Sequence, residues 1–334
     1  MSNKDTVSHD YMANAEHFAD AYNYYAFDGE QVLRAEQLKA EDTVEELIVN
    51  KFDEIFTTKK SRDVLKTVSV KSDDNMTYAI LGIENQSYVD YAMPVRNMVY
   101  DALNYASQVS SIKKKDKTSN KLQSGNEYLS GVSKGTKIKP VITLVINFSK
   151  DMWDGPTSLS DMLDNVDSRL GRYVNDYELH LIDPHAIDDF TGFHTELGEV
   201  LEFIKRQNED GYLKTMKIEK GENWELDLDS VNMINTFTGA RIPTDTAKGG
   251  KVNMCRATEA IREDGIKVGM KEGRKEGRKE GRKEGRKEGV TETNIVYSWL
   301  FEQGRDADVK RATTDAEFME TLVDEYKSRK NKNY

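Results

Sequence analysis

RDVLKTVSVKSDDNMTYAILGIENQ, residues Arg62 to Gln86, decides how the chain is read. It predicts two strands joined by a turn. In the first, Arg62 to Val70, Leu65, Val68 and Val70 stand among polar residues. Ser72, Asp73, Asp74 and Asn75 are all turn formers. The second, Tyr78 to Glu84, is nearly all apolar, as expected of a strand covered on both faces. Asp63 starts the first strand, and Glu84 and Gln86 end the second. Side chains alternate along a strand, so Glu84 and Gln86 point to one side. Pairing of the strands as a hairpin brings Asp63 near Glu84. Two carboxylates converging with a third polar group suit a hard cation of the Mg²⁺ kind.

Downstream, Pro94 opens a predicted helix, since proline is tolerated in a first turn. Arg96 and Tyr100 are four residues apart and share a face. Val99 and Leu103 form its buried side. Arg96 either neutralises a phosphate or pairs with a carboxylate while Tyr100 packs. Ser110 to Lys139 is polar and rich in lysine, with Lys113, Lys114, Lys115, Lys117 and Lys121 clustered. It reads as a long loop, either a phosphate-binding flap or a solvated insertion. Pro140 to Phe148 then gives a buried strand, Trp153 to Pro156 a turn, Leu159 to Leu163 a short helix and Tyr177 to Ile182 a last strand.

Upstream, Ala13 to Phe27 predicts a helix whose Phe18, Tyr22, Tyr25 and Phe27 form a core-facing stripe. Thr43 and Glu46 have the spacing of a capping box, which predicts a helix running toward Phe56. Asp20 and Glu30 read as solvated surface acids. Elements of both kinds alternate as far as Pro184, which implies an α/β sheet with helices against it, followed by a helical C-terminal region.

The 334 residues suffice for one large domain with an appendage, or for two domains. No apolar run reaches the ~20 residues that span a bilayer, and the N-terminus lacks a signal peptide's apolar core. Cys255 is the only cysteine, which rules out an internal disulfide and fits a reducing cytoplasm; it reads as a small buried residue on a helix. A net charge of −11 excludes a protein that grips nucleic acid over its whole surface, so local basic patches must carry any DNA contact.

Beyond Pro184 the chain turns helical. Gly192 to Gln207 is amphipathic, and Leu226 to Phe237 and Val252 to Ile261 predict two further helices. His180, His185 and His194 match no zinc spacing and read as ordinary core or surface histidines. Gly269 to Gly289 repeats Lys-Glu-Gly-Arg, with glycine at every fourth position. Each glycine costs a helix about 1 kcal/mol relative to alanine, so weak helicity is expected there. The repeat reads as a low-complexity spacer, with a DNA-contacting or chain-pairing arm as the alternative. Glu292 to Gln303 and Asp315 to Tyr326 close the chain as helices. The order is thus an α/β domain at 13–184, a helical region at 185–265, the repeat at 266–290 and C-terminal helices at 291–334.

The sequence resembles the Rpn family of recombination-promoting, transposase-like nucleases in the PD-(D/E)xK superfamily. The resemblance is carried by FADAYNYYAFDGEQVL (Phe18–Leu33), RDVL (Arg62–Leu65), GIENQ (Gly82–Gln86), YAMPVRNMVYDALNYASQV (Tyr91–Val109), PVITLVINF (Pro140–Phe148), WDGPTSL (Trp153–Leu159), MCRATEAIREDG (Met254–Gly265) and the repeats. It covers most of Phe18 to Gly289. It sharpens the α/β fold to a restriction-endonuclease-like mixed sheet flanked by helices. It implies a Mg²⁺-dependent DNA endonuclease, with Asp63 and Glu84 as metal ligands and Asp63, Glu84 and Gln86 as catalytic residues. An acid on an early helix, Asp20 or Glu30, often helps hold the metal in such proteins. Arg96, Tyr100, Lys113, Lys114 and Lys115 are the expected DNA contacts. Gln86 stands where most of the superfamily has lysine, and a neutral amide does not stabilise developing charge as an ammonium does. The alternative is therefore a catalytically weak or inactive DNA-binding or interaction protein, with homo-oligomer formation among its roles.

Overall fold

The computed structural model describes residues 3–332 except 41–43, 52, 53, 62, 73, 74, 166, 210, 211 and 246. In chain order the elements are α1 (Asn3–Ala13), α2 (Ala15–Phe27), β1 (Leu38–Ala40), β2 (Val44–Lys51), β3 (Glu54–Ser61), β4 (Val64–Ser72), β5 (Asn75–Gln86), α3 (Met93–Thr118), α4 (Gly125–Ser130), β6 (Val141–Asn147), α5 (Ser168–Gly171) and β7 (His180–Ile182). There follow α6 (Leu197–Arg206), α7 (Tyr212–Lys220), β8 (Glu225–Asp227), α8 (Leu228–Thr238), β9 (Lys251–Asn253), α9 (Met254–Glu302), α10 (Asp306–Ala312) and α11 (Ala316–Lys332). Residues Met1–Ile261 form one compact unit and Arg262–Tyr334 another.

The first unit is built on a five-stranded mixed sheet of order β1-β4-β5-β6-β7. The hairpin expected at Arg62 to Gln86 forms its centre: β4 and β5 are antiparallel, in register from Val64 opposite Ile83 to Ser72 opposite Asn75. The turn residues Asp73 and Asp74, like Arg62 and Thr43, lie outside the described residues. β6 then pairs parallel to β5, and β7 parallel to β6. The period of two divides β5 cleanly. Leu81 and Ile83 join Val64, Val68, Leu144, Ile146 and Ile182 in the main core, against Phe18 and Tyr22 of α2 and Leu197, Leu201 and Ile204 of α6. Ile80 turns to the opposite face with Leu65, Val141 and Tyr105 of α3. Tyr22 pins α2 to the sheet, its Oη 2.7 Å from Gly82 O and 2.9 Å from Ile142 O. α2 ends on Asp28 and Gly29 in the left-handed region. A Cβ on Gly29 would lie 2.9 Å from Gly192 O, so only glycine fits this crossing.

The structure corrects several expectations. Val44 to Ser61 is an antiparallel hairpin, β2 with β3, and not a capped helix. The capping-box spacing was outvoted by dense β-branched and aromatic residues (Val44, Ile48, Val49, Ile55, Phe56, Thr57, Thr58). Ser110 to Lys139 is not one long loop, since helices take up about half of it. α3 continues to Thr118, with no glycine or proline to stop it and with Lys115 and Lys117 complementing its C-terminal dipole. A short α4 follows, set by a Ser124–Glu127 capping box. Asn14 splits the first helix from an unexpected α1 by capping α2, accepting the Glu16 N–H at 2.8 Å. The strand expected at Tyr177 to Ile182 is only His180–Ile182, and Leu226 and Val252, expected to begin helices, belong to the paired strands β8 and β9. Tyr25, expected in the core, is 39% exposed, while Val99 is half-buried and Leu103 buried. Cys255 is buried on a helix as expected, its thiol donating to Gly221 O at 3.0 Å.

In the second unit, Val296, Leu300, Ala312 and Leu322 make a small core of α9, α10 and α11. The repeats lie inside α9, with every side chain from Met270 to Val290 exposed. Among the described residues no helix is long and apolar enough to cross a membrane.

Candidate active site

β5 ends in Glu84-Asn85-Gln86, and the strand's alternation sets Glu84 and Gln86 on the face covered by α3. Both are buried, at 0% and 3% exposure. The hairpin register ends with Val64 opposite Ile83, so Asp63 follows opposite Glu84. Its carboxylate accepts the backbone N–H of Asn85 at 2.8 Å. Pro94, in the first turn of α3, starts the helix early enough for Arg96 to reach back over β5. The Arg96 guanidinium donates from Nη2 to Glu84 Oε2 at 3.1 Å, from Nη1 to Asp90 Oδ2 at 3.3 Å and from Nε to Tyr100 Oη at 3.0 Å. One cation thus ties together the strand end, the connecting loop and the next helical turn. Asn97, the next residue, is 1% exposed, and neither atom of its amide has a hydrogen-bond partner.

Burial governs the electrostatics. It pushes the Asp63 carboxyl above the usual carboxylate range, opposed by the Asn85 N–H and the Arg96 charge; His9 and Asp5 of α1 contribute less. The Tyr100 phenol is also raised, first by burial and then by Glu84. Burial works against the Arg96 charge, but Glu84, Tyr100 and Asp90 more than offset it.

At the carboxyl end of β6, Asn147 stands in register beside Gln86. Its amide donates to Asp183 at 3.1 Å and to Asp151 O at 3.0 Å. Asp183 in turn accepts the Trp153 N–H at 2.8 Å, and Tyr91 donates to Asp154 at 2.9 Å. The Trp153 to Pro156 turn is therefore fastened beside the end of β5.

Residues 52–217 match a family model described as "Putative transposase, YhgA-like". This segment belongs to that family. It is a family of the Rpn and PD-(D/E)xK type, and the matched span holds Asp63, Glu84, Gln86, Arg96 and Tyr100. No curated protein and no solved structure matches the chain.

Within the YhgA-like segment the residues expected to act together separate into two groups. Asp63, Glu84, Gln86, Arg96 and Tyr100 gather at the end of β5. Lys113, Lys114 and Lys115 are exposed on α3, with Lys113 about 25 Å along the helix axis from Arg96. Glu30 is exposed. Asp20 is not the surface acid that was expected: at 2% exposure it accepts the His194 and Thr195 N–H groups, each at 2.9 Å, and the Thr195 hydroxyl at 2.6 Å. That set of donors explains its burial without a metal. His180 meets Tyr25 and His185 meets Ser149 O. Among the described residues no three His, Cys, Asp or Glu side chains form a ready cage.

Asp90, Asn97, Asn147 and Asp183 were missed in the sequence. Asp90 alone left a signal, an acid six residues before the arginine it meets. A cavity of about 660 Å³ lies elsewhere, lined by Glu16, His17, Glu196, Glu199 and Asp227, and its acidic wall is unsuited to phosphate.

Proposed function

We propose that this protein is a metal-dependent nuclease that hydrolyses DNA phosphodiester bonds. The observation that carries the reading is the meeting of Asp63 and Glu84 at one strand end, under the guanidinium of Arg96. Family membership supports it, since a transposase-like protein acts on DNA. The donor set fits Mg²⁺, which is commonly held by one or two carboxylates, waters and substrate phosphate oxygens, not by an all-protein cage.

In this reading Asp63 and Glu84 hold the metal, with the Asn85 carbonyl as a further ligand. When bound, Mg²⁺ would supply a more acidic water and a polarised phosphate. Gln86 orients the attacking water through its amide. Arg96 neutralises phosphate charge, with Tyr100 holding the guanidinium plane. Lys113, Lys114 and Lys115 contact the DNA backbone away from the bond that breaks.

Two observations favour a second reading, a DNA-binding protein with little or no cleavage: Gln86 replaces the usual ammonium, and Glu84 is already ion-paired. Nicking of supercoiled plasmid with Mg²⁺ or with chelator separates the two. Mg²⁺-dependent nicking supports the nuclease; DNA binding that is indifferent to Mg²⁺, without nicking, supports the alternative.

A further inference from the structure

The Arg96 guanidinium lies on the carboxylate that the nuclease reading assigns to the metal. Glu84 Oε2 is 3.1 Å from Arg96 Nη2, and the Glu84 side chain is fully buried. A divalent cation approaching Glu84 meets a fixed positive charge there, and like charges a few ångströms apart in a poorly solvated site repel strongly. Arg96, however, is not confined to Glu84. Its side chain is 32% exposed, and its second nitrogen already serves Asp90, itself on the solvent side at 20% exposure. The guanidinium therefore has a partner to keep if it leaves Glu84. A planar donor fork with an open side is also the group best suited to a phosphate.

Resting on the nuclease reading, we propose that Arg96 couples metal binding to DNA binding. In the free protein it occupies Glu84 and holds the metal affinity down. A backbone phosphate diester draws the guanidinium off Glu84 and toward the groove while Asp90 and Tyr100 keep hold of it. Glu84 is then open to the cation, and the same phosphate completes the cation's ligand set. Phosphate and cation thus each raise the affinity for the other by the same factor, as linkage requires. Arg96 is in this sense a positioning residue as well as a phosphate contact, and the free protein is kept from binding a metal without its substrate. Asp90, which the site otherwise does not need, gains a role as the second hold on the guanidinium.

The test is equilibrium binding and requires no turnover. Ca²⁺ is titrated by calorimetry into the full-length protein, alone and with a short DNA duplex, for the parent, Arg96→Met, Arg96→Lys and Glu84→Gln. Circular dichroism confirms that each is folded. The parent should bind Ca²⁺ roughly tenfold more tightly with DNA than without. Arg96→Met removes the charge but keeps the apolar stem. It should bind Ca²⁺ roughly tenfold more tightly than the parent in the absence of DNA, and DNA should then change that affinity little. Arg96→Lys should restore part of the coupling. A merely structural arginine predicts the reverse for Arg96→Met, weaker metal binding in both conditions, and that result would overturn the proposal. Equal Ca²⁺ affinity of the parent with and without DNA also overturns it, while leaving the metal site in place. Absence of Ca²⁺ binding by the parent even with DNA removes the metal site and the coupling together.

Discussion

Glu84 is a fully buried carboxylate whose partner, Arg96, is one-third exposed. Removing one side of such a pair typically costs about 3–5 kcal/mol, because the other charge is left without compensation. Truncation to alanine would therefore confuse folding with chemistry. Glu84→Gln keeps the shape and should abolish Mg²⁺-dependent cleavage while retaining the circular dichroism of the parent. Gln86 is the sharper residue. It is buried beside Asn147 and shares the face of Glu84. Gln86→Lys should raise the initial cleavage rate several-fold, since it adds a cation where negative charge develops. It should also lower the melting temperature, because a buried ammonium pays for desolvation. A fall in both rate and melting temperature would show that Gln86 serves as a neutral structural group.

At the scale of elements, α3 carries the site at its start and leads on to α4 after its end. Glu127 organises the start of α4: its carboxylate accepts the backbone N–H groups of Gln123, Ser124 and Lys134, each at 2.7 Å. These bonds hold its carboxyl down at about 2. A depressed carboxylate stabilises the fold above its unfolded value and loses that contribution as pH falls through the folded value. Protection of the Gln123, Ser124 and Lys134 amides, their exchange rate relative to the unstructured chain at the same pH, should therefore be high at neutral pH and fall between about pH 4.5 and 2. In Glu127→Gln it should be low throughout. The second prediction at this scale concerns Lys113, Lys114 and Lys115. Replacing all three by alanine should leave the cleavage rate at saturating DNA unchanged. It should also flatten the salt dependence of DNA binding, by roughly one unit of slope for each phosphate that a lysine no longer neutralises. The sheet's central hairpin was legible because alternation and turn chemistry agreed along Arg62 to Gln86. Pro94 likewise marked the helix that delivers Arg96. The β2–β3 hairpin was misread, because Thr43 and Glu46 imitate a helix start and drew the reading away from the β-branched run that follows them. The extension of α3 was hidden by its lysines and serines, which resemble loop composition, although nothing among them breaks a helix. The convergence of Asp63, Glu84, Gln86 and Arg96 at one strand end was readable. Asp90, Asn147 and Asp183 were not, since each acts through neighbours set only by the parallel pairing of β5, β6 and β7 or by the path of the loop after β5.

For the whole molecule, the two compact units give separate expectations. Every residue assigned to chemistry lies in the first. A chain ending at Asp264 should remain folded and cleave DNA, with weaker binding at moderate salt if the basic repeats contribute; a folded but inactive truncation would show that the tail takes part in catalysis. The second unit has a small core, and Leu300→Ala should destabilise it by about 2–5 kcal/mol while leaving hydrogen exchange in β5 and β6 unchanged. The net charge of −11 means that any DNA contact is local and not made by the molecule as a whole. The central claim is that Asp63 and Glu84 together make a metal-dependent hydrolytic site. Its most direct measurement is the rate of plasmid nicking by the full-length parent and by Asp63→Ala, each with Mg²⁺ and with chelator. The account predicts nicking by the parent with Mg²⁺ alone, and none by folded Asp63→Ala in either condition. Nicking by Asp63→Ala at the parent's rate would contradict it.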